Sequence, residues 1–242
     1  MREGDNLFCA SIVAVKAKTG EYAWHFQQVH HDIWDYDAAS PVVLFDTVIN
    51  GQPRQGITEA GRTGWVYILD RTNGKPLIGV QERPVPQEPR QKTSKTQPYP
   101  IGDATVPQCA EPLEGYEKAG CIFAVFWEEP VVIQPSGVGG TNWAPMSYNP
   151  DTGSFYVVAT VRTSAFVRYG DTFKKGLRYV GGTQSALIGS PMGGTFTAVW
   201  RQHQQDRVAD EDAVPYRQRR RFHDHRRWPR LPRRARRQHP SL

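Results

Sequence analysis

Apolar residues recur in short blocks along the first 200 residues, and each block is broken by a turn sequence. Ile12-Val13-Ala14-Val15 leads through Lys18-Thr19-Gly20 to Tyr22-Ala23-Trp24. Trp65-Val66-Tyr67-Ile68-Leu69 leads through Arg71-Thr72-Asn73-Gly74 to Lys75-Pro76-Leu77. Met146-Ser147-Tyr148 leads through Asn149-Pro150-Asp151-Thr152-Gly153 to Phe155-Tyr156-Val157. The glycine of each turn supplies the positive φ that a tight hairpin needs. The pattern predicts strands around 11–16, 65–70, 145–149 and 154–160, with little helix. Residues 193–199 read as the opening strand of a fourth copy. Repeated β units with an aromatic anchor mark a β-propeller. The predicted fold class is therefore all-β, with about three to four blades of an incomplete propeller in residues 1–199.

The turn glycines Gly20, Gly74 and Gly153 are unevenly spaced, and the extra length lies in an insert at about 80–140. That insert is rich in Pro, Gln, Glu and Lys, and its tip at 83–107 is expected to be irregular. An open arc of blades leaves sheet faces uncovered, which favours aggregation. After Val199 the strand periodicity stops. Residues 200–242 form an Arg-rich tail, with runs such as Arg219-Arg220-Arg221 and Arg233-Arg234-Ala235-Arg236-Arg237, and are expected to be disordered. The break falls inside a repeat, and Arg, Gln, His and Pro without Lys is the composition of a GC-rich gene read in a shifted frame. The reading preferred is a frameshift near Val199, over a true basic arm for nucleic acid or anionic lipid.

Charge supports this division. The net charge is +6, yet residues 201–242 alone hold 13 Arg against 5 acidic residues, a net +8. The first 200 residues hold 17 basic and 19 acidic groups, a net −2, so the folded part gives no reason to expect nucleic-acid binding. No run of apolar residues is long enough for a transmembrane helix. The N-terminus, Met1-Arg2-Glu3-Gly4-Asp5-Asn6, lacks the apolar stretch of a signal peptide. The three cysteines have no zinc-type CxxC spacing, and no CxxCH haem motif is present.

The densest chemistry lies in His30-His31-Asp32-Ile33-Trp34-Asp35-Tyr36-Asp37, followed downstream by the glycine-flanked cation of Gly61-Arg62-Thr63-Gly64. A carboxylate is a weak base unless its site is dry and its substrate is polarised by a metal. Trp34 suits a dry wall. If the segment is extended, Asp35 and Asp37 share a face, as a pair of metal ligands or as solvated carboxylates. His30 and His31 point opposite ways on a strand and read as supports of the loop.

These residues resemble the pyrroloquinoline-quinone-dependent (quinoprotein) alcohol and sugar dehydrogenases, over about residues 5–199. The resemblance rests on His31-Asp32-Ile33-Trp34-Asp35, on Arg62, and on Gly139-Gly140-Thr141-Asn142-Trp143. It implies an eight-bladed parent propeller of which this chain is an internal portion. It implies Asp35 as the catalytic base, Asp35 and Asp37 as ligands of calcium or a lanthanide, and Arg62 as the cation facing the quinone (PQQ). Asn142 and Trp143 are either cofactor contacts or a blade corner. The implied substrate is a small alcohol or sugar, the electron acceptor a cytochrome or ubiquinone, and the location the periplasm or the periplasmic face of the inner membrane. In an oxidising periplasm Cys109 and Cys121 either pair or stay free, and Cys9 is the odd thiol. The family's upstream Glu and Asn metal ligands, its stacking Trp and its vicinal disulfide have no counterpart in this sequence. The isolated chain is therefore expected to be inactive. The competing reading is a non-catalytic propeller scaffold or binding fragment, which has no use for both the His-Asp-x-Trp-Asp segment and Arg62.

Overall fold

The computed structural model describes residues 2–170, 172–187 and 192–200. Among these residues the structure is all β and contains no helix. The first repeat forms β1 (Ser11–Val15) and β2 (Tyr22–Gln27), paired antiparallel. Gly20 turns between them at φ 72°, and its N–H donates to Lys16 O at 2.8 Å. The next sheet has the order β3 (Val43–Ile49), β4 (Gln52–Ala60), β5 (Val66–Asp70). After β5, Gly74 at φ 73° makes the same turn, N–H to Asp70 O at 2.8 Å. Asp70 Oδ1 stiffens it by accepting from Thr72 N at 2.9 Å. The apolar segment beyond this turn forms no strand and is held by one bridge, Leu69 to Pro76, and by Leu77 N–H donating to Ile68 O at 2.9 Å.

The insert expected at about 80–140 is mostly irregular, but it contains four short strands. β6 (Val80–Pro84) and β7 (Thr96–Pro100) pair as a hairpin that reaches into the segment 83–107 expected to be irregular. Its prolines sit where a two-stranded ribbon tolerates them, since an edge strand leaves alternate N–H groups unpaired. β8 (Lys118–Gly120) runs parallel to β9 (Val131–Ile133) and opens a four-stranded sheet completed by β12 (Ser164–Arg168) and β13 (Gly182–Ala186). The Cys109–Cys121 disulfide is formed, across an antiparallel bridge at the start of this unit. Cys9 is a free, exposed thiol.

The third repeat gives β10 (Ser147–Asn149) and β11 (Ser154–Val161). The expected fourth repeat is corrected here. β14 (Gly193–Trp200) pairs with β11 from Ser154↔Trp200 to Val161↔Gly193, so it is the third strand of the existing sheet and opens no new one. The tail at 201–242 lies outside the described residues.

Three apolar clusters join the sheets and loops to one another. Ile12 and Trp24 meet Ile57 and Leu69, seating β1–β2 on β3–β5. Phe45, Ala60 and Ile68 meet Met146, Phe155 and Val157, seating β3–β5 on β10–β11. A larger cluster of Val29, Trp34, Tyr36, Trp65, Tyr67, Phe123, Ile133 and Phe166 gathers the loops and the four-stranded sheet. Trp24 shows how one unit locks onto the next. Its indole lies against Gly74, where a Cβ would come 2.5 Å from its Cε3, and its Nε1–H donates to Arg71 O at 3.0 Å. Open sheets packed face to face in this way form part of a β-propeller.

Candidate active site

The loop between β2 and β3 carries the site, and its shape follows from burial of every second residue. Trp34 and Tyr36 are 1% and 0% exposed, while Asp35 between them faces outward. Trp34 Nε1–H donates to Ala124 O at 2.7 Å, Tyr36 Oη–H to Pro135 O at 2.6 Å, and both rings pack on Phe123. Trp34 is thus an anchor in the core and not the wall of the site that its position beside Asp35 had suggested. Asp32 closes the loop from within, accepting from Trp34 N at 2.8 Å and Tyr36 N at 2.7 Å. Burial raises its pKa to about 7, and the two backbone donors counter the rise.

The histidines support this loop, as expected. The backbone of His30 is gripped at both ends by Gln97, N–H to Oε1 at 2.8 Å and Nε2–H to the carbonyl at 2.6 Å. His31 Nδ1 sits 2.8 Å from Gly4 O and 2.8 Å from Asn6 Nδ2.

Asp35 does not have the extended backbone assumed for it. Its φ is 69°, a region that non-glycine residues seldom occupy and that persists where the surroundings fix it. Arg62 supplies much of that fixing. Arg62 Nη1–H donates to Asp35 O at 2.6 Å and lies 3.1 Å from Asp35 Oδ2, while Nη2 lies 3.1 Å from Asp37 Oδ2. Asp35, Asp37 and Arg62 therefore converge, although a cation and not strand alternation brings the two carboxylates together. Partial burial is the main cause raising the pKa of Asp35, the nearby Asp37 charge adds to it, and Arg62 offsets both.

Arg62 stands on the turn between β4 and β5, where Gly61 O accepts from Gly64 N at 3.0 Å. The segment Gly139-Gly140-Thr141 is pressed against the back of this turn. A Cβ on Gly139 would lie 2.5 Å from Arg62 Cβ, Gly140 N–H donates to Arg62 O at 2.8 Å, and Thr141 Oγ1 bonds to the carbonyls of Ala60 and Gly61 at 2.6 Å each. Asn142 donates its amide to Val138 O at 3.0 Å and Trp143 is 77% exposed, so both flank the Arg62 turn without bonding to the acidic pair.

Two participants carried no signal in the sequence. Gln184, on β13, donates to Asp35 Oδ2 at 3.1 Å across 149 residues. Glu59 lies buried beneath the turn in a short hydrogen bond with Gln28. Neither belongs to a motif or shows a spacing, and only the tertiary fold places them.

The donor set has a definite capacity. Arg62 Nε is buried and has no acceptor among the described residues, while Nη1 and Nη2 are turned to the two carboxylates. Asp35 and Asp37 offer carboxylate oxygens to a cation, but calcium takes six to eight oxygen ligands. Among the described residues no three His, Cys, Asp or Glu side chains gather as a metal site. Two carboxylates are fewer oxygen donors than a calcium ion takes.

Residues 1–118 match the family model described as the glucose/ethanol/alcohol dehydrogenase β-propeller domain. The chain is 36% identical over 166 residues to the quinohemoprotein alcohol dehydrogenase ADH-IIG of Pseudomonas putida, covering 68% of this chain and 20% of that protein. It is 35% identical over 158 residues to the 1-butanol dehydrogenase (cytochrome c) of Thauera butanivorans, covering 64% of this chain and 20% of that protein. The solved quinohemoprotein alcohol dehydrogenase of Comamonas testosteroni superposes with a TM-score of 0.56 at 29% identity, over 80% of this chain and 28% of that one. The chain spans about a fifth of the length of these curated relatives.

Proposed function

Because the chain belongs to the PQQ-dependent (quinoprotein) dehydrogenase β-propeller family, as a partial chain, we propose that it carries the proton-accepting end of a site oxidising the CH–OH group of an alcohol, polyol or sugar. The observation that carries this reading is the convergence of Asp35 and Asp37 on Arg62. When bound, the quinone supplies the acceptor for the hydride that leaves the substrate carbon. Asp35 takes the hydroxyl proton on its carboxylate, which Arg62 holds in place through the Asp35 carbonyl and one carboxylate oxygen. Arg62 opposes negative charge growing on the neighbouring oxygen, already oriented by its bonds to Asp35 O and Gly137 O. Asn142 and Trp143 border the cofactor from the loop behind Arg62. Asp35 and Asp37 lend carboxylate oxygens to calcium or a lanthanide, whose remaining ligands come from other parts of the complete enzyme. Electrons pass on to a cytochrome or ubiquinone; the name of the Thauera relative favours cytochrome c. We place the complete enzyme in the periplasm or at the periplasmic face of the inner membrane, where the Cys109–Cys121 bond persists.

A dye-linked alcohol assay on the complete enzyme tests this. Asp35→Asn should lower turnover by roughly 10²–10⁴-fold, the worth of a positioned base, with quinone binding largely kept. Normal turnover in that variant would remove Asp35 from the chemistry. The 242-residue chain alone, given quinone and calcium, should show no useful turnover, since its two carboxylates leave the metal short of ligands. Robust turnover from it would overturn that part of the proposal and show that the site is self-sufficient.

A further inference from the structure

Gln184 reaches the site from the middle of β13, where its backbone pairs with Phe166 of β12. Its side chain runs over Gly137, so closely that a Cβ there would lie 1.5 Å from Gln184 Oε1. Gly137 has no positive φ to require a glycine. The reason for glycine here is the amide lying on it. That amide donates to the same Asp35 oxygen that Arg62 Nη1 approaches, each at 3.1 Å. Arg62 Nη1 also donates to Gly137 O at 3.2 Å, so the glycine, the amide, the guanidinium and the carboxylate form one connected cluster.

Resting on the reading of Asp35 as the base, we infer that Gln184 is a positioning residue for it, seated by Gly137. Asp35 has an unfavourable backbone angle and a half-exposed carboxylate, and a side chain in that state swings unless held. Arg62 holds the backbone carbonyl and one edge of the carboxylate. A single charged partner leaves the carboxylate free to rotate about it. A second donor from another sheet on the same oxygen removes that freedom and fixes the direction from which the base meets a hydroxyl. Gln184 is neutral, so it orients Asp35 at a smaller loss of basicity than a second cation would cause. Misplacement of a reacting group by an ångström lowers rates strongly even where nothing else changes.

Two readouts separate this from the functional reading. In the 242-residue chain, the side-chain amide signals of Gln184 in a ¹H–¹⁵N spectrum, assigned by their loss in Gln184→Ala, should move in both Asp35→Asn and Gly137→Ala. Signals unmoved by either substitution overturn the proposal, whatever the enzyme's activity. In the complete enzyme, Gln184→Ala should lower kcat roughly 10- to 100-fold with KM and quinone affinity near wild type. Gly137→Ala should lower kcat likewise, and should add nothing in a Gln184→Ala background. Gln184→Asn, one methylene short, should not rescue the loss. An unchanged kcat in Gln184→Ala also overturns the proposal. Should Asp35→Asn itself keep full turnover, the reading of Asp35 as base is what fails, and the amide shifts still decide whether Gln184 holds it.

Discussion

Glu59 is 1% exposed and meets Gln28, itself 0% exposed, with Oε1 of each lacking a partner. Burial raises its pKa from the usual 4.5 to about 7, against the bonds from Gln28 and the Ser40 backbone. The folded protein therefore binds this proton more tightly than the unfolded chain. The resulting stability is complete below pH 4.5, declines as pH rises from 4.5 to 7, and is lost above it. Urea unfolding at pH 5 and pH 8 should show Glu59→Gln gaining on wild type by on the order of 3 kcal/mol between the two. A constant difference between the two proteins would mean that Glu59 is charged in the fold. At this scale the sequence showed the chemistry that lies close together along the chain and missed what distant residues add. Asp35, Asp37 and Arg62 stand in a recognisable order along the chain, whereas Glu59 and Gln184 acquire their roles from neighbours 31 and 149 residues away.

Strands and turns were legible wherever apolar alternation met a turn glycine. β1, β5, β10 and β11 fall where the pattern put them. The hairpin of β6 and β7 was hidden because Pro84, Pro98 and Pro100 mimic a loop, although a ribbon edge accommodates them. β14 was assigned to a new unit because alternation tells that a strand exists and not which neighbour it pairs with. Two elements give sharp expectations. Gly74→Ala should place a methyl 2.5 Å from Trp24 Cε3 at a φ of 73°, adding about 1–2 kcal/mol of backbone cost to the displaced indole. Thermal unfolding of this variant against Gly51→Ala, also at positive φ but with open space around its Cβ, separates the two costs. Replacing Cys109 and Cys121 by serine should lower stability by about 3 kcal/mol, the entropy of releasing a loop of this size. Chemical denaturation of the oxidised and serine forms measures it.

As a whole the molecule is a set of open sheets joined by apolar clusters, with apolar residues left on outward faces. β3 lies at the edge of its sheet and exposes Leu44 and Val48 at 60% and 51%. An apolar edge strand invites pairing with other chains. Replacing both with lysine should reduce light scattering of concentrated solutions while moving the unfolding midpoint little. Equal scattering by the variant would place the adhesive surface elsewhere. The wide separation between Asp35 and Gln184 also has a meaning in time. At 5–20 residues per second, a ribosome that has just added Asp35 needs about 7–30 s to add the residue that will steady it, 149 positions later. Arg62 follows only 27 residues behind and arrives within about 1–5 s. During synthesis the acidic loop thus acquires its counter-charge early and its final orientation late. A translational pause between β5 and β13 would prolong a stage in which the carboxylate is neutralised but not yet aimed.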